Sequence, residues 1–359
     1  MRRFSIVCVV STLLILSLGD LSLASAPTAK VSSPPVAAQC RHAAIAEEGF
    51  VPIDGIEQWV TIHGAHCDNP MVLFIHGGPG DPLSPFAARV YGSWESTFTL
   101  VQWDQRGAGM TFGRNPAGAQ TPLSVEQMSQ DGIALASYLI GHLGQKKIIL
   151  VGGSWGSVLA VHMAKARPDL FYAYVGSSQL VDGKANEAAA YRQALDQAHR
   201  MGDTKSVTSL DALGPPPWTN PRSFGALRRI TRRYEMQAST PAPADWWQPA
   251  PLYATASVQH DEDAGEDYSY LQYVGADGHG MFWQIDLPAL GKDFRIPVFF
   301  VQGAEDLNTV PEITKRYFDT IHAPEKTYVL VPRTGHDPNV AMVDAQYQLL
   351  IRRVLPLTH

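Results

Sequence analysis

A serine at position 154 is framed by glycines in a way that suits nucleophilic catalysis. The segment GGSWG, residues 152–156, follows the apolar run IILV at 148–151 and precedes the apolar run VLAV at 158–161. A G-x-S-x-G motif between a strand and a helix is typical of a sharp turn that lifts a serine hydroxyl out of a sheet. The turn also puts the Trp155 N–H at the amino end of a helix, where an oxyanion is favoured. The segment therefore predicts Ser154 as a nucleophile and Trp155 as an oxyanion donor.

Two later segments provide a candidate acid and a candidate base for this serine. QGAED, residues 302–306, ends an apolar run, and an acid at that point can hold a histidine in the right tautomer. We prefer Asp306 to Glu305 because it lies further into the loop. VPRTGHDPN, residues 331–339, carries His336 after a glycine in the loop that follows the last predicted strand. The chain order serine, aspartate, histidine is the one found in α/β hydrolases.

The glycine-rich segment HGGPG, residues 76–80, follows another apolar run. Its glycines let the backbone approach a reacting centre, and we predict that one of its backbone N–H groups is the second oxyanion donor. We choose Gly78, with Gly77 as the alternative. His76 is interpreted as a residue that shapes this loop rather than as the catalytic base.

The elements that must position these residues alternate along the chain. A hairpin is predicted at 50–64 around an Asp-Gly turn, and apolar runs typical of strands buried on both faces follow it. Helical spacing of apolar residues separates several of these runs, which predicts an α/β fold: a mostly parallel sheet flanked by helices with right-handed crossovers. The predicted strands occupy residues 71–78, 98–107, 146–153, 172–178, 296–306 and 326–332.

The alternation stops between about 182 and 290, which predicts an inserted helical cap. The N-terminus has two arginines, an apolar run at 6–18 and small residues at 24–26, as in a secretory signal peptide; an uncleaved anchor is the alternative. We therefore expect export to the periplasm or medium, without stable membrane association after cleavage. The predicted division is a signal peptide at 1–26, a Pro-, Ala- and Ser-rich tether at 27–45, an α/β core at 46–182, the cap at 183–290 and the rest of the core at 291–359.

The charge and the cysteine content of the chain limit which partners, disulfides and metal sites we expect. The net charge of −6, with scattered Lys and Arg, argues against a nucleic-acid partner. Of the three cysteines, Cys8 leaves with the signal peptide, and Cys40 and Cys67 predict a disulfide in an exported protein; two buried free thiols are the alternative. His63, His66 and Cys67 lack a fourth ligand at a sensible spacing, so no metal site is predicted.

Three of the motifs together resemble the proline iminopeptidase family of α/β hydrolases. They are HGGPG, WDQRGAG at 103–109 and GGSWGS at 152–157. The resemblance covers about residue 50 to the C-terminus and extends to Asp306 and His336. It implies the α/β-hydrolase fold with an inserted helical cap and a peptidase that needs no cofactor.

The cap departs from the family pattern at one position. Family members that remove an N-terminal proline resemble R-I-E-x-H-Y-F there, and the glutamate binds the substrate's free amine. In the similar stretch RITRRYE, residues 229–235, Thr231 stands in place of that glutamate. Glu235 lies one helical turn later and is our hypothesis for a substitute. The acidic run at 261–267 is an alternative amine binder that we interpret as a solvated loop, and Trp283 is a candidate pocket residue together with Trp218, Trp246 and Trp247.

The sequence thus predicts an exported serine hydrolase that works through an acyl-enzyme on a small-molecule or short-peptide substrate. The preferred activity is an aminopeptidase that releases N-terminal residues from small peptides. A carboxylesterase or lactonase acting on hydrophobic esters is the alternative. A binding protein that keeps the fold without turnover is a third possibility, against which the complete Ser154, Asp306 and His336 set argues.

Overall fold

The computed structural model describes residues 42–116 and 122–359. The predicted signal peptide and Cys40 lie outside these residues. Within the two described ranges, no helix combines the length and the hydropathy needed to cross a bilayer.

The described residues form an eight-stranded sheet with the order β1-β2-β4-β3-β5-β6-β7-β8. β1 and β2 form an antiparallel hairpin, β2 pairs antiparallel with β4, and all pairs from β4 to β8 are parallel. This confirms the predicted α/β class, although the hairpin begins at Ile45, earlier than expected. The strands are β1 Ile45–Ile53, β2 Ile56–Gly64, β3 Met71–Ile75, β4 Thr99–Trp103, β5 Ile148–Gly153, β6 Phe171–Ser177, β7 Val298–Gly303 and β8 Lys326–Val331.

The central strands are buried and mostly apolar because helices cover both faces of the sheet. β3, β4 and β7 are buried at every residue, whereas the edge strand β8 is only partly buried. The helices are α1 Ala87–Tyr91, α2 Gly109–Arg114, α3 Val125–Leu143, α4 Trp155–Ala166, α5 Gly183–Met201, α6 Thr204–Leu213, α7 Pro221–Ala238, α8 Ala256–Val274, α9 Pro311–Thr320 and α10 Val340–Leu349. Short 3₁₀ turns lie at Gly92–Ser96, Pro168–Leu170, Met281–Gln284, Leu287–Leu290 and Leu355–Thr358, and a π turn at Leu350–Val354.

Helices α5 to α8 lie between β6 and β7 in the chain and contact the loops at the carboxyl ends of the strands. The Ser269 hydroxyl of α8 donates to the Gly107 carbonyl at 2.7 Å, after β4. The Asn186 amide of α5 donates to the Asn308 carbonyl at 2.6 Å, after β7. Since ligands of open α/β sheets bind at this end of the strands, the inserted helices border the candidate site.

Candidate active site

Ser154 occupies a strained turn between β5 and α4. Its backbone has φ 50° and ψ −121°, a region that non-glycine residues rarely adopt. Gly156 makes the turn possible, because a Cβ there would lie 2.0 Å from the Ile75 carbonyl oxygen and 2.4 Å from that of His76. The turn therefore presses against the end of β3 and presents the serine side chain beyond the sheet.

Three predicted residues meet at this turn. The Ser154 Oγ lies 2.9 Å from His336 Nε2, and His336 Nδ1 lies 3.1 Å and 3.2 Å from the two carboxylate oxygens of Asp306. This is the arrangement in which an imidazole can take a proton from a serine hydroxyl while a carboxylate fixes its tautomer.

Asp306 is fully buried and its carboxylate is held by four donors besides the imidazole. It accepts hydrogen bonds from the backbone N–H groups of Asn308 and Thr309, from the Thr309 hydroxyl and from the Gln302 amide, at 2.6–2.9 Å. Burial alone would raise its pKa, but the charge and hydrogen bond of His336 and the hydrogen bonds of Thr309 lower the pKa of Asp306 overall. The carboxylate is therefore ionised beside the imidazole.

His336 is a stronger base than a free histidine. Burial lowers its pKa, but the Asp306 carboxylate, through charge and hydrogen bond, and the charges of Glu235 and Asp337 raise the pKa of His336 to about 9. The neutral imidazole is therefore a strong acceptor for the Ser154 proton, and the neutral form is the main one only at alkaline pH.

The predicted oxyanion donors flank the serine. Trp155 is fully buried at the start of α4. Gly77 and Gly78 line the same cavity wall as Ser154, and a Cβ on Gly77 would come within 3.3 Å of Ser154 Cβ. The assignment of the two donors to the Trp155 and Gly78 N–H groups stays a prediction.

One residue that the sequence reasoning missed, Gln105, joins the three motifs. Its backbone N–H donates to His76 Nε2 at 3.1 Å, and its amide donates to the His76 carbonyl at 2.9 Å. The Trp155 indole N–H donates to Gln105 Oε1 at 3.1 Å. His76 is buried, and burial lowers its pKa to about 4, so it is a neutral residue of this network and not a base for the serine.

Two cavities open from Ser154 and His336. We call the first, of about 320 Å³, the apolar arm. The second, of about 280 Å³, holds charged groups and is called the charged arm. The apolar arm is lined by Phe74, Leu83, Phe86, Tyr91, Trp247 and Met342, among others, and shares Asp81, Arg232 and Asp337 with the charged arm. The charged arm is lined by Asp81, Glu266, Asp337, Arg228 and Arg232 with Phe224, Tyr273 and Phe282.

Of the pocket residues predicted from the cap, Trp247 lines the apolar arm, whereas Glu235, Thr231 and Trp283 line neither arm. The Glu235 carboxylate accepts hydrogen bonds from the backbone N–H groups of Leu307 and His336, behind the imidazole. Thr231 is buried and its hydroxyl donates to the Arg228 carbonyl. Trp283 packs in the core and its indole N–H donates to the Val274 carbonyl at 3.0 Å. The hypothesis that these residues contact the substrate is thus corrected, because packing turns their side chains away from the cavity.

Three carboxylates line the cavity, Asp81, Glu266 and Asp337, and that of Asp337 is paired with Arg232 at 3.2 Å. The acidic run at 261–267 lies on α8 and is not a solvated loop, and its Glu266 reaches the charged arm. Asp81 follows HGGPG directly in the chain and lines both arms. Desolvation and the like charges of Glu266 and Asp337 raise the pKa of Asp81 to about 6, and desolvation with Asp267 and Asp263 raises that of Glu266. Arg228 and Arg232 are paired with Glu187 and Asp337, so the two crowded carboxylates near Ser154 favour a cationic group on the ligand.

The predicted cysteine pair is only partly described. Cys67 is buried and disulfide-bonded, but Cys40 lies outside the described residues, so the pairing between them stays a prediction. No cluster of three or more His, Cys, Asp or Glu suited to a metal occurs within residues 42–116 and 122–359.

Comparisons with known proteins agree with this geometry. The model of the alpha/beta hydrolase fold family matches residues 70–340. A probable aminopeptidase, YbaC, of Bacillus subtilis is 28% identical over 80% of this chain and 90% of its own length. A probable proline iminopeptidase of Streptomyces coelicolor is 28% identical over 78% and 85%. The solved structure of the Mycobacterium smegmatis proline iminopeptidase covers 87% of this chain and 98% of its own, with a TM-score of 0.59 at 16% identity.

The family model spans most of the chain. The relatives named as an aminopeptidase and a proline iminopeptidase match this chain over most of their own length. The chain therefore belongs to the α/β hydrolase fold family, is similar to proline iminopeptidases within it, and is a hydrolase.

Proposed function

We propose that this protein is an exported serine aminopeptidase that releases the N-terminal residue of short peptides. The observation that carries the proposal is the contact of 2.9 Å between Ser154 Oγ and His336 Nε2, with the imidazole held by the buried Asp306 carboxylate. The aminopeptidase names of the relatives support the choice of reaction. The volumes of the two arms are near the lower end of the range for small-ligand sites, which favours a short substrate.

The proposed reaction has two halves. Ser154 Oγ attacks the scissile carbonyl as its proton passes to His336 Nε2, and the N–H groups of Trp155 and Gly78 stabilise the oxyanion. His336 then gives the proton to the leaving amine, the C–N bond breaks, and the N-terminal residue remains as an ester on Ser154. Water, deprotonated by His336, attacks this ester, and the serine recovers its proton when the acid product leaves.

An aminopeptidase must also hold the substrate's ammonium group. In this proposal Asp81 and Glu266 do so, replacing the hypothesis that assigned the role to Glu235. Both carboxylates line the charged arm together with Ser154, and a hydrogen-bonded charge pair is worth about 1.5–3 kcal/mol.

Paired substrates test this assignment. Turnover of an amino acid naphthylamide with a free amine is compared with that of its N-acetylated form and of a neutral short-chain ester. We expect Asp81→Asn and Glu266→Gln each to lower kcat/KM for the free amine by about 10-fold or more, with little change for the ester. Asp261→Asn, on the same helix but outside both arms and not among the charges that shift the pKa of Asp81 or Glu266, is the matched control. Equal cleavage of free and acetylated substrates, unchanged in both variants, would contradict the aminopeptidase assignment.

The apolar arm favours one second candidate, an esterase for hydrophobic esters. Its aromatic and aliphatic walls match an uncharged acyl group, and ester hydrolysis uses the same three catalytic residues. The two candidate functions predict different rates of ester hydrolysis in the experiment above. A carboxylesterase would turn over the ester much faster than any free-amine naphthylamide and would be indifferent to Glu266→Gln, which changes the charged arm alone.

Export is the part of the proposal that rests on residues 1–26. The disulfide at Cys67 supports it, because disulfides persist in oxidising compartments. Mass spectrometry of the mature protein from its native host tests it. We expect an N-terminus after Ala24 or Ala26 in the periplasmic or extracellular fraction, and an intact N-terminus in the cytoplasmic fraction would refute export.

A further inference from the structure

Glu235 is a buried carboxylate for which the proposed reaction has no use. It lies on α7 with only 7% of its surface exposed. One oxygen accepts a hydrogen bond from the backbone N–H of Leu307, the residue after Asp306, and the other lies 3.4 Å from the backbone N of His336. A single side chain of the inserted helices thus contacts both loops that carry the base and its acid.

The loop after β7 has a second attachment to the same group of helices. Asn186 of α5 donates to the Asn308 carbonyl at 2.6 Å and accepts from the Val310 N–H at 2.8 Å. The loop from Asp306 to Val310 is therefore fixed between two cap helices as well as by its own hydrogen bonds. Its position depends on where those helices lie.

We propose that Glu235 is a positioning residue that couples helix α7 to the Asp306 and His336 loops and so holds the acid and base in register with Ser154. This inference rests on the proposed function, since it concerns the geometry of the same three residues. It differs in kind from the earlier hypothesis for Glu235, because here the carboxylate meets backbone N–H groups and never the substrate.

The charge of Glu235 affects a measurable quantity, the pKa of His336. The charged groups facing it are Asp306 and His336, and Asp196, Arg200 and Glu305 line the small cavity beside it. Burial and the like charge of Asp306 raise the pKa of Glu235 to about 7, against the opposing effects of His336 and the two N–H donors. In turn, the ionised Glu235 is one of the charges that raise the pKa of His336.

Helix α7 also carries two residues of the charged arm. Arg228 and Arg232 line that cavity, seven and three positions before Glu235. A group bound in the charged arm and the backbone of the catalytic loops are therefore attached to one rigid helix. This is the physical route by which a displacement of α7 would reach the triad.

Two substitutions separate the two contributions of Glu235. Glu235→Asp keeps the charge but shortens the side chain by one methylene, so it withdraws the carboxylate from the two N–H groups. Glu235→Gln keeps the length but removes the charge and turns one acceptor into a donor. Asp196→Asn removes a carboxylate beside the same small cavity that makes no hydrogen bond within the described residues, and it is the matched control.

The assay is kcat and KM for a neutral short-chain ester across the neutral and alkaline pH range, with thermal unfolding of each variant. We expect both Glu235 variants to lose about 10- to 100-fold in kcat while KM changes by less than about twofold, because misplacing catalytic groups slows the chemical step. We expect the midpoint of the pH profile to fall in Glu235→Gln and to stay in place in Glu235→Asp, and Asp196→Asn to match the wild type in kcat. If Glu235→Gln does not unfold cooperatively, the kcat of Glu235→Asp decides.

Wild-type kcat and pH midpoint in a folded Glu235→Gln would overturn the proposal, as would a loss in Asp196→Asn equal to that in the Glu235 variants. Failure of the proposed function looks different. In that case Ser154→Ala would retain the wild-type rate, and the Glu235 variants would be irrelevant to it. A loss in Ser154→Ala together with unchanged Glu235 variants would leave the serine mechanism standing and refute the positioning role alone.

Discussion

Replacing Gly156 with alanine should collapse the turn that presents Ser154. The new Cβ would meet the carbonyl oxygens of Ile75 and His76 at 2.0 Å and 2.4 Å, whereas ordinary contacts begin near 3.4 Å. Both neighbours are main-chain atoms at the end of β3, so no side chain can rotate away, and the α4 turn must move by more than an ångström. Overpacking costs about 1–3 kcal/mol, and this contact belongs at the upper end of that range or beyond it.

The neighbouring glycine is the internal control for this substitution. A Cβ on Gly153 would have no heavy atom within 4 Å, and its backbone is not in the left-handed region. Gly153→Ala should therefore leave stability unchanged or raise it slightly, by about 0.4–1 kcal/mol, through the unfolded state. The two variants add the same methyl group to the same motif, and only the contacts differ.

Thermal unfolding and fluorophosphonate labelling measure the two consequences. At about 2 °C per kcal/mol for a large domain, a cost of about 3 kcal/mol lowers the Tm of Gly156→Ala by about 6 °C or more. The same shift of the turn moves Ser154 away from His336, so labelling should slow by at least about 100-fold. The reasoning is wrong if Gly156→Ala melts within about 2 °C of Gly153→Ala and reacts with the probe at the wild-type rate.

Three further outcomes are expected. Ser154→Ala and His336→Ala should each reduce turnover by about 10³-fold or more without unfolding the chain, and the double variant should be hardly worse than either, because the residues act as one unit; near-additive losses would contradict that. The pH profile of kcat/KM should have its midpoint above the 6.5 that is ordinary for histidine, since His336 must be neutral to act and its raised pKa keeps it protonated to higher pH, so activity is lost as the pH falls; a midpoint below 6.5 would count against it. Thiol titration of the denatured, non-reduced mature protein should find no free thiol if Cys40 and Cys67 pair, and two thiols per chain would exclude the pairing.

Sequence motifs were enough to predict the three residues that meet at the turn after β5, because each signal is local. Ser154 stands directly after β5, Asp306 lies three residues after β7 and His336 five residues after β8, and the parallel sheet brings the carboxyl ends of these strands to one edge. The structure then brings their side chains within hydrogen-bonding distance. The α/β fold followed from the same apolar runs, and it is confirmed.

The contacts of the cap residues could not be predicted from the sequence in the same way. The spacing of Thr231 and Glu235 correctly indicates a shared helix, but a helix spacing does not say what each side chain faces. Glu235 turns toward Leu307 and His336, which lie 72 and 101 positions further along the chain. Asp81 and Glu266 reach one cavity from positions 185 residues apart in the chain, and the acidic run that contains Glu266 resembles a solvated loop in the sequence.

The hydrogen bonds through Gln105 make the HGGPG, WDQRG and GGSWG segments one cooperative unit. A single amide side chain joins His76 and the indole of Trp155, so moving any one of the three loops breaks hydrogen bonds to the other two. None of the three loops can therefore be redesigned alone. Transplanting the nucleophile turn into another α/β scaffold would therefore require all three segments together. Helix α8 of the cap is attached to the same unit, because the Ser269 hydroxyl donates to the Gly107 carbonyl and the Tyr273 ring packs edge-on against Trp155. An exchanged cap would therefore have to keep both contacts.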